Sequence, residues 1–313
     1  MKVFLRRVLM FGLLMSLLAV LADLGVSCGL RRTERGHFYT MNALMHKRMD
    51  ADIVILGNSR AAGSYHPFYL DSILHVNSRN LGVSGQPFGV SYLRWELYQR
   101  NNTVPKLLII NIDYAELKVV NNGYEKEQYY PYMSDSLVKP YLDLYGFSWM
   151  EKHVPMYRYR GDYKLIGIGL MELTGIRHDK KGNYYKGYSN PNDKWNGHNL
   201  DVKLRNGNIR ATYERQAVVL LEKLLEQSMR DGCLVLFVYA PLHERLKNHL
   251  EEDGVLQVDQ DLSDRFNVRI LDFSQMDFCS DTGYFRDGNH LNAEGARLFS
   301  MSLAHAIDSL GIL

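Results

Sequence analysis

Three short, unbroken apolar runs constrain this chain more than anything else in it: Ile53 to Leu56 (IVIL), Leu107 to Ile112 (LLIINI) and Leu234 to Tyr239 (LVLFVY). A strand with one wet face alternates apolar and polar residues, because successive side chains point to opposite faces. Runs that do not alternate predict strands covered on both faces, the condition of parallel strands within an α/β protein. Weaker segments around Asn80 to Val83 and at Val268 to Leu271 bring the set to about five.

Helical periodicity fills the intervals. Thr212 to Arg230 places Val218, Leu221, Leu225 and Met229 on one face and stops at Gly232, and Leu242 to Glu252 reads as a shorter helix. Asn292 stands as the N-cap of a last helix carrying Ala296, Phe299, Leu303, Ile307 and Leu310 at three-four spacing. Strands alternating with helices predict a doubly wound parallel sheet. Ligands bind such sheets beyond the carboxyl ends of the strands. Chemistry is therefore expected at Gly57-Asn58-Ser59, at Asn111-Ile112-Asp113 and at Ala240-Pro241.

The N-terminus has a different character. Lys2, Arg6 and Arg7 precede the apolar run Val8 to Ala22, and Asp23 interrupts it before Leu24 to Leu30. At about 1.5 Å per residue, Val8 to Leu30 is long enough for a hydrocarbon core of roughly 30 Å. A positive flank before an apolar stretch predicts a signal anchor over residues 1–30, with its positive end cytoplasmic. The protein would then be a single-pass inner-membrane protein with its globular part on the periplasmic, extracytoplasmic side. A form cleaved or lipidated at Cys28 is the alternative, although Gly25-Val26-Ser27-Cys28 lacks the larger aliphatic residue usual three positions before the cysteine. Residues 31–50 read as a short helix or stalk, and 51–313 as the globular domain.

The domain carries an insertion at about 120–208, rich in Tyr, Asn, Gly, Lys and Asp, whose Tyr and Trp content argues against disorder. It is expected to cover one side of the active edge and to select substrate. The tyrosines between Tyr114 and Tyr188 suit either a carbohydrate cleft or half-buried packing. A net charge of +2 without a basic run gives no footing for nucleic acid. Only Cys233 and Cys279 could pair within the domain, and Cys233, opening an apolar run, reads as a buried thiol. No CxxC spacing suggests a metal, and no cofactor is expected.

In the stretch "ILGNSRAAG" a buried strand ends in glycine, an amide and a hydroxyl. This is either a turn or a serine presented as a nucleophile, and a nucleophilic serine needs a base and an acid to orient that base. "FRDGNHLNAEG" supplies both, with Asp287 and His290 three apart on one tight turn before the last helix. Alone, each of these residues reads as a turn or loop residue. Together, and in this order along the chain, they resemble the SGNH (GDSL-like) hydrolase superfamily over roughly Asp52 to Leu310. "LGNSR" is similar to its first block, "NLGVSGQ" to its second and "DGNHLN" to its last.

That resemblance implies a flavodoxin-like sheet and a Ser59-His290-Asp287 triad, with the backbone N–H groups of Ser59 and Gly85 in an oxyanion hole. The third block departs from the family's Gly-x-Asn-Asp. Here it reads "INIDY", with Asp113 at the Asn position and Asn111 at the Gly position. A carboxylate cannot donate to an oxyanion unless protonated, so the third member of the hole falls to Asn111 (or Asp113). Arg60 would then pair with Asp113 or sit near an anionic substrate. His243, after the fourth strand, faces the cleft or starts a helix, and His66 reads as a loop histidine.

The nearest branch is the membrane-anchored group that O-acetylates cell-surface polysaccharides, such as the alginate acetylation proteins. The expected activity is that of a serine esterase or O-acyltransferase acting on acetyl (acyl) esters of extracytoplasmic glycans. Its expected partners are an acetylated glycan or other acyl-ester substrate and a membrane-bound acyltransferase. A non-catalytic SGNH-like binding or assembly protein is the alternative. A nucleotide binder is disfavoured, since the chain has neither a P-loop lysine nor a dinucleotide GxGxxG.

Overall fold

The computed structural model describes residues 1–119, 125–176, 184–190, 193–205 and 207–313. In chain order the helices are α1 (Lys2–Leu30), α2 (Phe38–His46), α3 (Ser59–Ser64), α4 (Pro67–Leu74), α5 (Phe88–Asn101), α6 (Trp149–His153), α7 (Tyr163–Leu173), α8 (His198–Leu204), α9 (Arg215–Arg230), α10 (Glu244–Lys247), α11 (Asp253–Phe266) and α12 (Ala293–Leu310). The chain divides into two compact units, residues 1–42 with 122–182 and residues 43–121 with 183–313.

The second unit is built on a five-stranded parallel sheet of β1 (Ile53–Leu56), β2 (Ser78–Asn80), β3 (Leu107–Ile112), β4 (Leu234–Tyr239) and β5 (Arg269–Asp272), in the order β2-β1-β3-β4-β5. Ile55 lies between Asn80 and Ile109, and Val238 between Asn111 and Leu271. Ile53, Ile55, Leu107, Ile109, Leu236 and Val238 form one buried face with Leu70 of α4 and Phe299, Leu303 and Ile307 of α12. The alternate residues Val54, Leu56, Leu108, Ile110 and Phe237 are equally buried, on the side of α5 and α9, which pack on each other. Coverage of both faces is why the three strong runs carry no polar alternation.

The edges of the sheet are where sequence and structure part. The second strand is Ser78–Asn80 rather than Asn80 to Val83; beyond it Leu81 N still donates to Ile55 O and Val83 N to Gly57 O, while Asn80 N donates to Lys186 O. The helix expected over Leu242 to Glu252 is a single turn, Glu244–Lys247, because Leu250–Glu251 then pairs as a short parallel strand with Ile209–Arg210. α11, unforeseen, follows directly. The last helix forms as expected, with Asn292 Oδ1 accepting from the N–H groups of Glu294 and Gly295.

The first unit consists of α1, most of α2, α6 and α7 with the 3₁₀ turns Lys126–Tyr132 and Tyr157–Tyr159. α1 is long and apolar enough to cross a membrane by length and composition. Its last turns pack on α7, where Gly29 and Gly169 meet backbone to backbone, and a Cβ on either would collide with the other helix. Gly25 and Gly29 thus form a small-xxx-small contact face of the kind that lets helices approach closely. Asp23, the acid that interrupts the apolar run, is answered by the Arg158 guanidinium and by the N–H of Met156 at 2.9 Å.

Candidate active site

β1 ends at Leu56, and Gly57 turns the chain at φ +145°. A Cβ at Gly57 would stand 2.8 Å from that of Ala61 and 2.9 Å from that of Asn111, so only glycine fits between the strand end and its neighbour. Asn58 caps α3, its side chain accepting from the N–H of Arg60. Ser59 is therefore the first residue of a short helix mounted on a carboxyl strand end.

From the far end of the chain, His290 brings Nε2 to 2.8 Å from Ser59 Oγ. Its Nδ1 lies 2.9 Å from both carboxylate oxygens of Asp287. Asp287 Oδ1 also accepts from the N–H groups of Asn289 at 2.8 Å and His290 at 3.0 Å, which folds the loop into one tight turn. Burial works to raise the Asp287 carboxyl, but the His290 bond and charge, the Asn289 amide and Arg286 outweigh it, and the group lies below the usual carboxylate range. Asp287 is thus an anion at neutral pH. It fixes the imidazole with a proton on Nδ1, which leaves Nε2 free to accept from the serine.

The turn is held from several sides. Phe285 and Leu291 bridge across it, Tyr114 Oη donates to Asn289 Oδ1 at 2.8 Å, and His243 N–H donates to Gly288 O at 3.2 Å. Asn190 Nδ2 bonds both Gly63 O at the end of α3 and Leu291 O beside His290, at 2.8 and 3.1 Å. Sequence reasoning missed Asn190 and Tyr114. A cleft of about 310 Å³ opens beside the turn, lined by α8 through Asn199, Leu200, Val202 and Lys203, by Leu246, and by Asp287 to His290.

The remaining expected site residues lie as follows. Gly85 sits exposed in the loop after β2 at φ +65°, and that loop is tied to the end of β1 through Val83. Asn111 is fully buried, and its Oδ1 accepts from Tyr65 Oη at 2.8 Å. Asp113 is buried and accepts from Arg60 Nη1 at 2.8 Å. Among the described residues, neither Asn111 nor Asp113 bonds to Ser59. Arg60 and His243, the possible cleft residues, are each only 3% exposed. Arg60 also donates to Ala240 O and Pro241 O and lies 5.3 Å from the centre of the Tyr239 ring, joining the ends of β3 and β4. His243 caps α10, and its ring packs on Trp195 and Phe285.

Behind the pair lies a buried acidic group. Burial, then Asp113, holds the Glu116 carboxyl well above its usual range. Burial, then Asp113 and Glu252, pushes Asp259 up to about 8. Among the described residues, both Asp259 oxygens are buried without a hydrogen-bond partner. Among the described residues, no group of His, Cys, Asp and Glu is arranged to hold a metal ion.

No protein-family model matches the chain, and no curated protein does. Solved structures with a similar course of the chain include a candidate acylhydrolase from Bacteroides fragilis (12% identity, 82% of this chain and 86% of that one, TM-score 0.39). A candidate platelet activating factor protein from Streptococcus pneumonia matches at 11% identity over 86% and 89%, with a TM-score of 0.44. A candidate lipolytic protein of the G-D-S-L family from Desulfitobacterium hafniense matches at 12% over 81% and 98%, with a TM-score of 0.39. Likenesses of this size say nothing about chemistry, which is carried here by the geometry of Ser59, His290 and Asp287.

Proposed function

We propose that the protein is a serine esterase or O-acyltransferase of the SGNH type. One observation carries the reading: Ser59 Oγ lies 2.8 Å from His290 Nε2, and the opposite ring nitrogen is held by Asp287. In this reading Ser59 Oγ attacks the acyl carbonyl while His290 Nε2 takes its proton. The carbon–oxygen bond of the ester then breaks, His290 returns the proton to the departing alcohol oxygen, and the acyl group stays on Ser59. Water or an acceptor hydroxyl, deprotonated by the same nitrogen, releases it.

The oxyanion is met by the backbone N–H groups of Ser59 and Gly85. Asp113 is engaged by Arg60 and adds no donor, whereas Asn111 accepts from Tyr65 through Oδ1 and, among the described residues, keeps a buried Nδ2 without a partner. A missing donor lowers the rate by about 10²–10³, which leaves a slower enzyme and not an inert one. The same engagement is what favours the second reading, a non-catalytic binding or assembly protein. The two part on whether an acyl-Ser59 species forms.

α1 supports a membrane anchor with the catalytic unit exported, and the anchor with the resemblance to the O-acetylation branch supports extracytoplasmic glycan esters as substrates, with a membrane-bound acyltransferase as partner. Acetate release from p-nitrophenyl acetate and from O-acetylated glycans tests this, wild type against Ser59→Ala. Release by wild type alone supports the proposal, and equal release by both variants sinks it.

A further inference from the structure

The first unit carries exposed apolar side chains with no structural reason to face water. Leu170, Leu173 and Ile176, on and just beyond the C-terminal half of α7, are 46%, 36% and 57% exposed. Singly exposed apolar residues are ordinary, whereas a contiguous set marks an interaction surface. This set adjoins α1: Leu173 Cδ2 lies 3.4 Å from where a Gly25 Cβ would be, and Gly169 sits on Val26 and Gly29.

The position of that contact along α1 decides what covers the surface. A hydrocarbon core of roughly 30 Å takes about 20 helical residues, and counting from Arg7, the last cation before the apolar run, the span reaches to about Ser27. Gly25, and with it Leu173, lies within that span. Asp23 does as well. A lone carboxylate there would be costly in lipid, and it is the Arg158 guanidinium and the Met156 N–H that answer it. An intramembrane acid neutralised by a residue of the folded unit means that this unit reaches to the depth of Asp23.

We propose that the C-terminal half of α7, from Gly169 to Ile176, is seated in the lipid interface beside α1, in the leaflet opposite Lys2, Arg6 and Arg7. The occupant of the apolar face is the bilayer. The protein thus holds the membrane by two elements, a spanning helix and a shorter one packed on it through Gly25, Gly29 and Gly169. Glu172 is the only ionisable residue between Leu165 and Ile176. This inference rests on the reading of α1 as a membrane anchor.

Leu170→Trp and Ile176→Trp, made separately in the full chain and placed in phosphatidylcholine nanodiscs with and without bromine on the acyl chains, test it. The emission added over wild type is expected to fall roughly twofold with brominated lipid and to resist iodide. Quenching by iodide with no effect of bromine would mean a surface in water. Insensitivity to both would mean a surface covered by protein, and either result at both positions overturns the proposal. Resistance to carbonate extraction is measured in parallel. If the chain is retained but the new tryptophans are not quenched by bromine, the second contact is wrong and the anchor stands. If it is extracted, both fall.

Discussion

Ser59 Oγ stands 2.8 Å from Nε2 of His290, a residue 231 positions further along the chain. That closure is a product of the sheet. β1 delivers the serine at its carboxyl end, and α12, packed on α3 and α4, fixes the turn that carries the imidazole. Asn190, bonded to both sides, holds the two segments in register.

On the proposed mechanism Asn190 is a positioning residue. Replacing Asn190 with Leu is expected to lower kcat by about 10–100-fold with little change in KM, and to slow labelling of Ser59 by a fluorophosphonate in the same ratio. An unchanged labelling rate would show that the join is structural only.

Asp287→Asn keeps the turn but removes the charge that orients the ring. A loss of about 10³–10⁴ in kcat is expected, as for other triads, with the far-ultraviolet circular dichroism of the wild type. Steady-state kinetics on p-nitrophenyl acetate read it directly.

The elements legible in the sequence are those covered on both faces. IVIL, LLIINI and LVLFVY match their strands residue for residue, the first two buried throughout and the third from Leu236 to Tyr239. The edge strands β2 and β5 start two residues early and one residue late relative to expectation, because exposed Arg269 and Asp272 blur the signal at β5 and the polar Ser78-Arg79-Asn80 gives none at β2. α11 went unseen because an acid, Asp259, occupies its buried face and Gly254 its first turn. Ser59, Asp287 and His290 were legible because local turn chemistry marks them. Asn190 gave no such sign, lying in an Asn-rich stretch distant in sequence from both segments it joins. For Asn111 a signal existed: two positions after Ile109, it shares the face buried against α3 and α12, where Tyr65 waits.

Arg60 and Asp113 form a buried ion pair whose halves need each other. Arg60→Met leaves the Asp113 carboxylate beside Glu116 and Asp259 without its partner, and a loss of about 3–5 kcal/mol is expected. The double variant Arg60→Met, Asp113→Leu should regain most of it. Urea unfolding of the wild type, Arg60→Met, Asp113→Leu and the double variant gives the coupling, and additivity would refute it.

Asp259 makes stability fall with rising pH. Its folded-state value is about 8 against an ordinary 3.8. Between those values the folded protein holds a proton that the unfolded chain has released, so the unfolding free energy declines as pH climbs. Asp259→Asn should flatten that decline and raise stability at pH 8 and above by about 1–3 kcal/mol. Melting curves from pH 5 to pH 9 measure the effect, and parallel profiles for the two proteins would count against it.

The central claim is that Ser59 is the nucleophile. Peptide mass spectrometry of the full-length protein, quenched in acid during turnover of p-nitrophenyl acetate, measures this most directly. The account predicts an acetyl group on Ser59 in the wild type and none in His290→Ala. An unmodified Ser59 in an enzyme that is turning over, or acetylation that persists without His290, would contradict it.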